Sequence, residues 1–117
     1  MDYVHFPDVV FTDPEVATCG YSSEELQAEG REFYVKKALF AHNGKSLIKG
    51  DQRGFCKMVV DARTDVVLGV HILGPQATEI IHTVPMALDR ELTVKQWRRY
   101  VWGHPVLAEI IKETLEE

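Results

Sequence analysis

Cysteine is scarce in this sequence and forms no close pair. Cys19 and Cys56 are far apart, with neither a C-x-x-C nor a C-x-x-x-x-C spacing, so both read as reduced, packed thiols rather than a redox couple. No Gly-rich dinucleotide fingerprint is present, and Gly44-Lys45-Ser46 lacks the first glycine of a phosphate loop, which excludes nucleotide binding of either familiar kind. A Gly-x-Ser-x-Gly elbow is missing too, which leaves a serine hydrolase without a positioned nucleophile.

Charge of one sign is also short. The net charge is −5, and no basic cluster exceeds Arg98-Arg99, so nucleic acid is not expected as a partner. No apolar run approaches bilayer-spanning length, and Met1-Asp2-Tyr3-Val4-His5 resembles no signal segment; the expectation is a cytoplasmic protein with no membrane partner.

What is present is ordinary globular material. With 117 residues, 45% hydrophobic and 26% charged, the chain suffices for one domain, 1–117, with its own core.

Taken in order, Val9–Thr12 and Val16–Cys19 read as two short strands around a turn at Asp13-Pro14. Ser22 and Glu25 form a capping box that opens a surface helix ending at Gly30. Glu32–Phe40 reads as a strand, followed by turn formers over 41–45. Gly54–Asp61 and Val66–Gly74 flank a short polar loop and should pair antiparallel in the middle of the sheet.

A helix from Pro75 or Gln76 to about Arg90 should bury Ala77, Ile80, Ile81, Val84, Ala87 and Leu88, with a kink or break where Pro85 interrupts it. Thr93 caps a short helix through Arg99. The concentration of Trp97, Tyr100 and Trp102 close to His104 favours an interface, though core packing explains any single one of them at least as well. Glu79 and His82, one turn apart, and His71 offer only half of a carboxylate-bridged metal motif, so no metal is expected. The fold class is therefore α+β, an antiparallel sheet of four to five strands with helices packed on one face.

The most suggestive stretch is Gly103-His104-Pro105-Val106-Leu107-Ala108-Glu109. Pro105 suits the first turn of a helix and biases His104 out of it. Leu107, Ile110, Ile111 and Leu115 cluster on one face, and Glu109 falls on the other. Helical side chains lean toward the N-terminus, which aims the Glu109 carboxylate back toward His104. Such a pair fixes the imidazole tautomer and leaves its second nitrogen to exchange a proton. On spacing alone, however, the simpler reading is a surface histidine ahead of a helix with several solvated acids.

The segment His104-Pro105-Val106-Leu107-Ala108-Glu109 resembles the His-Pro-Thr-x-x-Glu signature of the pyridine nucleotide-disulfide oxidoreductases. Phe11-Thr12-Asp13-Pro14-Glu15-Val16-Ala17-Thr18-Cys19-Gly20 is similar to the entry of that family's C-terminal interface domain. Gly54–Asp61, Val66–Gly74 and Ala77-x-Glu79-Ile80-Ile81 follow its sheet pattern, so the likeness runs over about residues 7–117.

The resemblance implies the dimerisation domain of an FAD-dependent, NAD(P)-linked dithiol-disulfide oxidoreductase, leaning toward the dihydrolipoamide dehydrogenase branch through Asn43-Gly44-Lys45. It implies that His104 is the acid-base catalyst, oriented by Glu109, in the active site of the other subunit of a homodimer. It also implies that His104 and Pro105 approach the partner subunit's FAD, and that the parent joins a 2-oxo acid dehydrogenase complex. The fragment itself would hold no cofactor, since the fingerprint and the cysteine pair are missing. Alternatives are a stand-alone, non-catalytic homodimerisation module, and the same domain from a glutathione reductase or mercuric reductase-like enzyme. Val106, where the family has threonine, puts the subtype in question more than the His-Glu pair.

Overall fold

The computed structural model describes residues 7–12, 14–39, 54–74, 77–99 and 109–116. The turn at 41–45, the aromatics Tyr100 and Trp102, and His104, Pro105 and Leu107 lie outside these residues.

Five strands form one antiparallel sheet: β1 (Asp8–Val10), β2 (Glu15–Gly20), β3 (Phe33–Leu39), β4 (Phe55–Asp61) and β5 (Val67–Gly74), in the spatial order β1-β2-β5-β4-β3. β4 and β5 pair as the sequence pattern requires, and β5 takes the centre. Alternation sends Cys56, Met58 and Val60 of β4, and Val70 and Ile72 of β5, into the main core, the period-2 consequence of a pleated strand.

The hairpin turn between them is held by Asp61, whose Oδ1 accepts from the backbone N–H groups of Arg63 at 2.8 Å and Thr64 at 3.1 Å. This is an Asx-type turn. Register slips by one residue between Val59 and Val60, so that Gly69 faces Val59 while Val67 faces Val60. The bulge leaves Leu68 out of the ladder with β4, and its carbonyl accepts from Tyr21 N–H at 3.0 Å.

That contact explains Gly69. A Cβ there would lie 2.0 Å from the Tyr21 carbonyl oxygen and 2.8 Å from its nitrogen, and backbone atoms held in a sheet have nowhere to go. Gly69→Ala is expected to lower the unfolding free energy by about 1–3 kcal/mol, the usual cost of overpacking, read as a fall in the urea midpoint.

The helices follow their local signals. α1 (Ser23–Ala28) carries the full capping box between Ser22 and Glu25, and Gly30 beyond it has φ 70°. The segment containing Pro85 is broken into α2 (Ala77–Ile80), a 3₁₀ turn (Ile81–Thr83) and α3 (Val84–Asp89). Pro85 has no N–H to give the Ile81 carbonyl, and the N–H of Val84 serves it instead in the tighter i→i+3 pattern. The predicted apolar stripe is buried throughout, from Ala77 to Leu88.

α4 (Val94–Trp97) is capped by Thr93, with Gln96 completing a second box. Trp97 is only 2% exposed and sits in the main core, so core packing accounts for this aromatic. α5 (Glu109–Glu116) packs on β3 and β4. Val59 faces away from this core, and Leu26 of α1 is buried outside the main cluster.

Candidate functional site

α5 opens at Glu109, the residue proposed to steer His104, and the structure explains why a helix of eight residues holds there. Ile110, Ile111 and Leu115 are fully buried, as is Thr114, whose Oγ1 donates to the Ile110 carbonyl at 2.6 Å. At the helix's far end, Arg98 Nε donates to the Leu115 carbonyl at 2.9 Å, satisfying an otherwise orphaned helix-end acceptor. Arg98 follows α4, which Trp97 anchors in the core. Both flanks of the His104 segment are therefore fixed to the domain, α4 before it and α5 after it. The Glu109 side chain, like His104 and Pro105, lies outside what the structure describes.

The other candidates separate in space. Glu79 and His82 are exposed on the helical side. His71 lies on the opposite face of the sheet, between Thr18 and Lys57 in register, and its Nε2 is 2.9 Å from the Tyr21 carbonyl oxygen. The fold thus does not bring His71 to the Glu79–His82 pair.

The cysteines are chemically quiet. Neither is in a disulfide, and exposures are 1% for Cys19 and 0% for Cys56. Burial pushes the Cys19 thiol up to about 11 and the Cys56 thiol to about 12, so the reactive thiolate is not formed near neutrality. Because both folded values are raised, the unfolded chain ionises first. Stability is therefore full below the ordinary thiol range and falls as pH rises through these values. A thiol reagent at neutral pH is expected to label neither cysteine until denaturant is added; rapid labelling of the folded chain contradicts this.

Sequence reasoning missed two polar fixtures. Glu15 Oε1 accepts from both the backbone N–H of Thr78, at 3.1 Å, and its Oγ1, at 2.7 Å, tying the start of β2 to α2. The signal was an acid on the core-facing side of a strand, which needs a partner there. Arg31 meets Asp61 at 3.1 Å. The N–H groups of Arg63 and Thr64, with Arg31 adding to them, hold the Asp61 carboxyl below its usual range. A cleft of about 250 Å³ is lined by Gly30, Arg31, Glu32, Asp61 and Arg63. Its Arg31 pairs with Asp61 and its Arg63 lies 4.0 Å from Glu32, so its charges are balanced.

The chain matches the dimerisation domain of the pyridine nucleotide-disulphide oxidoreductases over residues 6–115. The chain belongs to this family. It is 37% identical over 116 residues to a dihydrolipoyl dehydrogenase of Geobacillus stearothermophilus, covering 99% of this chain and 25% of that protein. Against the mitochondrial dihydrolipoyl dehydrogenase of Caenorhabditis elegans the figures are 38% over 113 residues, 97% and 23%. Among solved structures, the HOCl-induced flavoprotein disulfide reductase RclA of Escherichia coli superposes with a TM-score of 0.88 at 26% identity, over 95% of this chain and 26% of RclA.

The chain is thus a pyridine nucleotide-disulphide oxidoreductase dimerisation domain, close to the dihydrolipoyl dehydrogenases, and spans about a quarter of the length of these relatives. The family's antiparallel sheet and helical layer are those built above from strand alternation and helix caps. Among the described residues no helix is long and apolar enough to cross a membrane.

Proposed function

We propose that residues 1–117 form one dimerisation domain of a larger dihydrolipoamide dehydrogenase-like enzyme. In this reading the domain brings two subunits together, and its His104, oriented by Glu109, serves the active site of the partner subunit. Match to the family over nearly the whole chain but only a quarter of the relatives' length is the observation that carries the reading, and the His104-Pro105…Glu109 motif supplies its chemistry.

His104 exchanges a proton with the thiol of a dithiol-disulfide couple. Glu109 accepts a hydrogen bond from the other imidazole nitrogen and holds the tautomer. The fixed flanks α4 and α5 support this role, since a general acid-base group works only when it is held in place.

FAD and NAD(P) belong, in this reading, to the parent's other domains. The described residues form an antiparallel sheet without the strand, Gly-rich turn and helix that seat a dinucleotide, so they do not fit either cofactor, and no step is assigned to one here. A homodimer is the functional unit, and a 2-oxo acid dehydrogenase complex is the corresponding larger assembly.

Light scattering on the isolated chain tests the association. At high micromolar concentration a dimer mass is expected, since unpaired interface surface otherwise stays wet. Monomer mass alone at that concentration contradicts it.

A further inference from the structure

α5 carries the acids Glu109, Glu113 and Glu116 against the single base Lys112, and its last turn has no basic residue of its own. The partial negative charge at that end favours a cation from elsewhere, and Arg98 supplies one through the 2.9 Å bond from its Nε to the Leu115 carbonyl. Arg98 closes α4, where its backbone N–H donates back to the Val94 carbonyl. It follows the buried Trp97, so the base of the arginine side chain is held. The other end of α4 is held too. There the Val94 N–H donates to the Asp65 carbonyl at 2.9 Å, and the Asp65 carboxylate accepts from the Tyr34 hydroxyl of β3 at 2.8 Å. Arg98 is thus the last link in a polar chain that runs from β3 through the hairpin turn and α4 to the end of α5.

In sequence, residues 99–108 lie between Arg98 and Glu109, and His104 is among them. The Arg98–Leu115 bond therefore closes the stretch that carries the motif into a loop. Burial of Ile110, Ile111 and Leu115 selects the face that α5 turns to β3 and β4, but apolar burial is non-directional and tolerates a small slide along the helix axis. A hydrogen bond does not, because it is lost when distance or angle departs far from the optimum. Leu115 lies six residues beyond Glu109, about 9 Å at the helical rise. A helix this short moves as a rod, so a slide at Leu115 arrives at Glu109 undiminished.

We propose that Arg98 is a positioning residue for the His104–Glu109 pair: by fixing α5 along its axis it sets where the Glu109 carboxylate meets the imidazole. The proposal rests on the reading under Proposed function, which gives the pair its proton exchange. An orienting group must be held within roughly 0.5 Å of its productive place, and the tie at the far end of α5 supplies that constraint. In this role Arg98 acts through Glu109 and exchanges no proton itself.

A pair of substitutions that differ chiefly in the donor tests it in the full-length parent. Glutamine carries an N–H as many bonds from Cα as the arginine Nε, whereas methionine has the same length and no donor. Arg98→Met is expected to lower kcat for dithiol-disulfide exchange by about tenfold, less than the roughly 10²-fold that a displacement of about 1 Å can cost. KM should stay within about twofold, because the loss is in the chemical step. Arg98→Gln should recover most of the loss. In an enzyme already carrying Glu109→Gln, Arg98→Met should cost little more, since residues that act through one group are not additive. Flavin content and the thermal midpoint report on folding, and a residue that served stability alone would move the midpoint without this dependence on Glu109. The proposal is overturned by an Arg98→Met enzyme with the original kcat, by equal losses for methionine and glutamine, or by losses that multiply in the Glu109→Gln background. If Glu109→Gln itself leaves kcat unchanged, the reading of the pair has failed and this proposal with it. If Glu109→Gln slows exchange and Arg98→Met does not, the positioning role alone has failed.

Discussion

Replacing His104 with glutamine in the full-length parent is expected to slow dithiol-disulfide exchange by about 10²- to 10⁴-fold, roughly 3–5 kcal/mol of transition-state stabilisation, while flavin content stays near that of the unmodified enzyme. Glutamine keeps the size and some hydrogen bonding of the imidazole but cannot take up and return a proton. Glu109→Gln is expected to cost less, because the imidazole remains and loses only its charged orienting partner. Steady-state turnover with a dithiol substrate, with flavin absorbance as the loading control, measures both. A His104→Gln enzyme within a few-fold of the original removes His104 from the chemistry.

The second large effect is on stability. Ile111 is fully buried in α5, and Ile111→Ala is expected to lower the unfolding free energy by about 2–5 kcal/mol, the lost transfer energy plus the cavity left behind. An eight-residue helix is too short to persist on its own propensity, so α5 depends on Ile110, Ile111 and Leu115 against β3 and β4. Loss of that seat also releases the residue with which α5 begins, Glu109. Lys112→Ala, on the less buried side of the same helix, should change stability by no more than about 0.5 kcal/mol. Denaturant unfolding of the two variants side by side decides the matter, and equal midpoints contradict the packing described here.

Much of this domain was legible because its signals are local. The Ser22–Glu25 box, the polar loop between β4 and β5, the buried stripe from Ala77 to Leu88 and the break at Pro85 each follow from neighbouring residues and their dihedral limits. The features that escaped need register or tertiary distance. Nothing near Leu68 announces a bulge, which arises where Tyr21, far earlier in the chain, supplies an N–H to its carbonyl. Glu15 looked like one more acid in a motif until β2 brought it to Thr78. The run of Trp97, Tyr100 and Trp102 pointed to an interface only as a group, and which of them packs inside is a tertiary matter: Trp97 lies in the main core.

The candidate site was legible as a motif. Spacing placed Glu109 on a helix, and Glu109 does begin α5; the pairing with His104 came from resemblance, and its test lies in the chemistry of the assembled dimer. If each active site takes its cysteines from one chain and His104 from the other, a mixed dimer is the direct measurement. One subunit carries His104→Gln with intact redox cysteines, and the other carries intact His104 without those cysteines. The mixed dimer should recover one functional site, and so about half of the unmodified dimer's turnover, while the His104→Gln homodimer stays at the depressed level of a lost acid-base group and the homodimer without redox cysteines is inactive. A mixed dimer that is folded, flavin-loaded and as inactive as either homodimer contradicts the sharing of His104 between subunits.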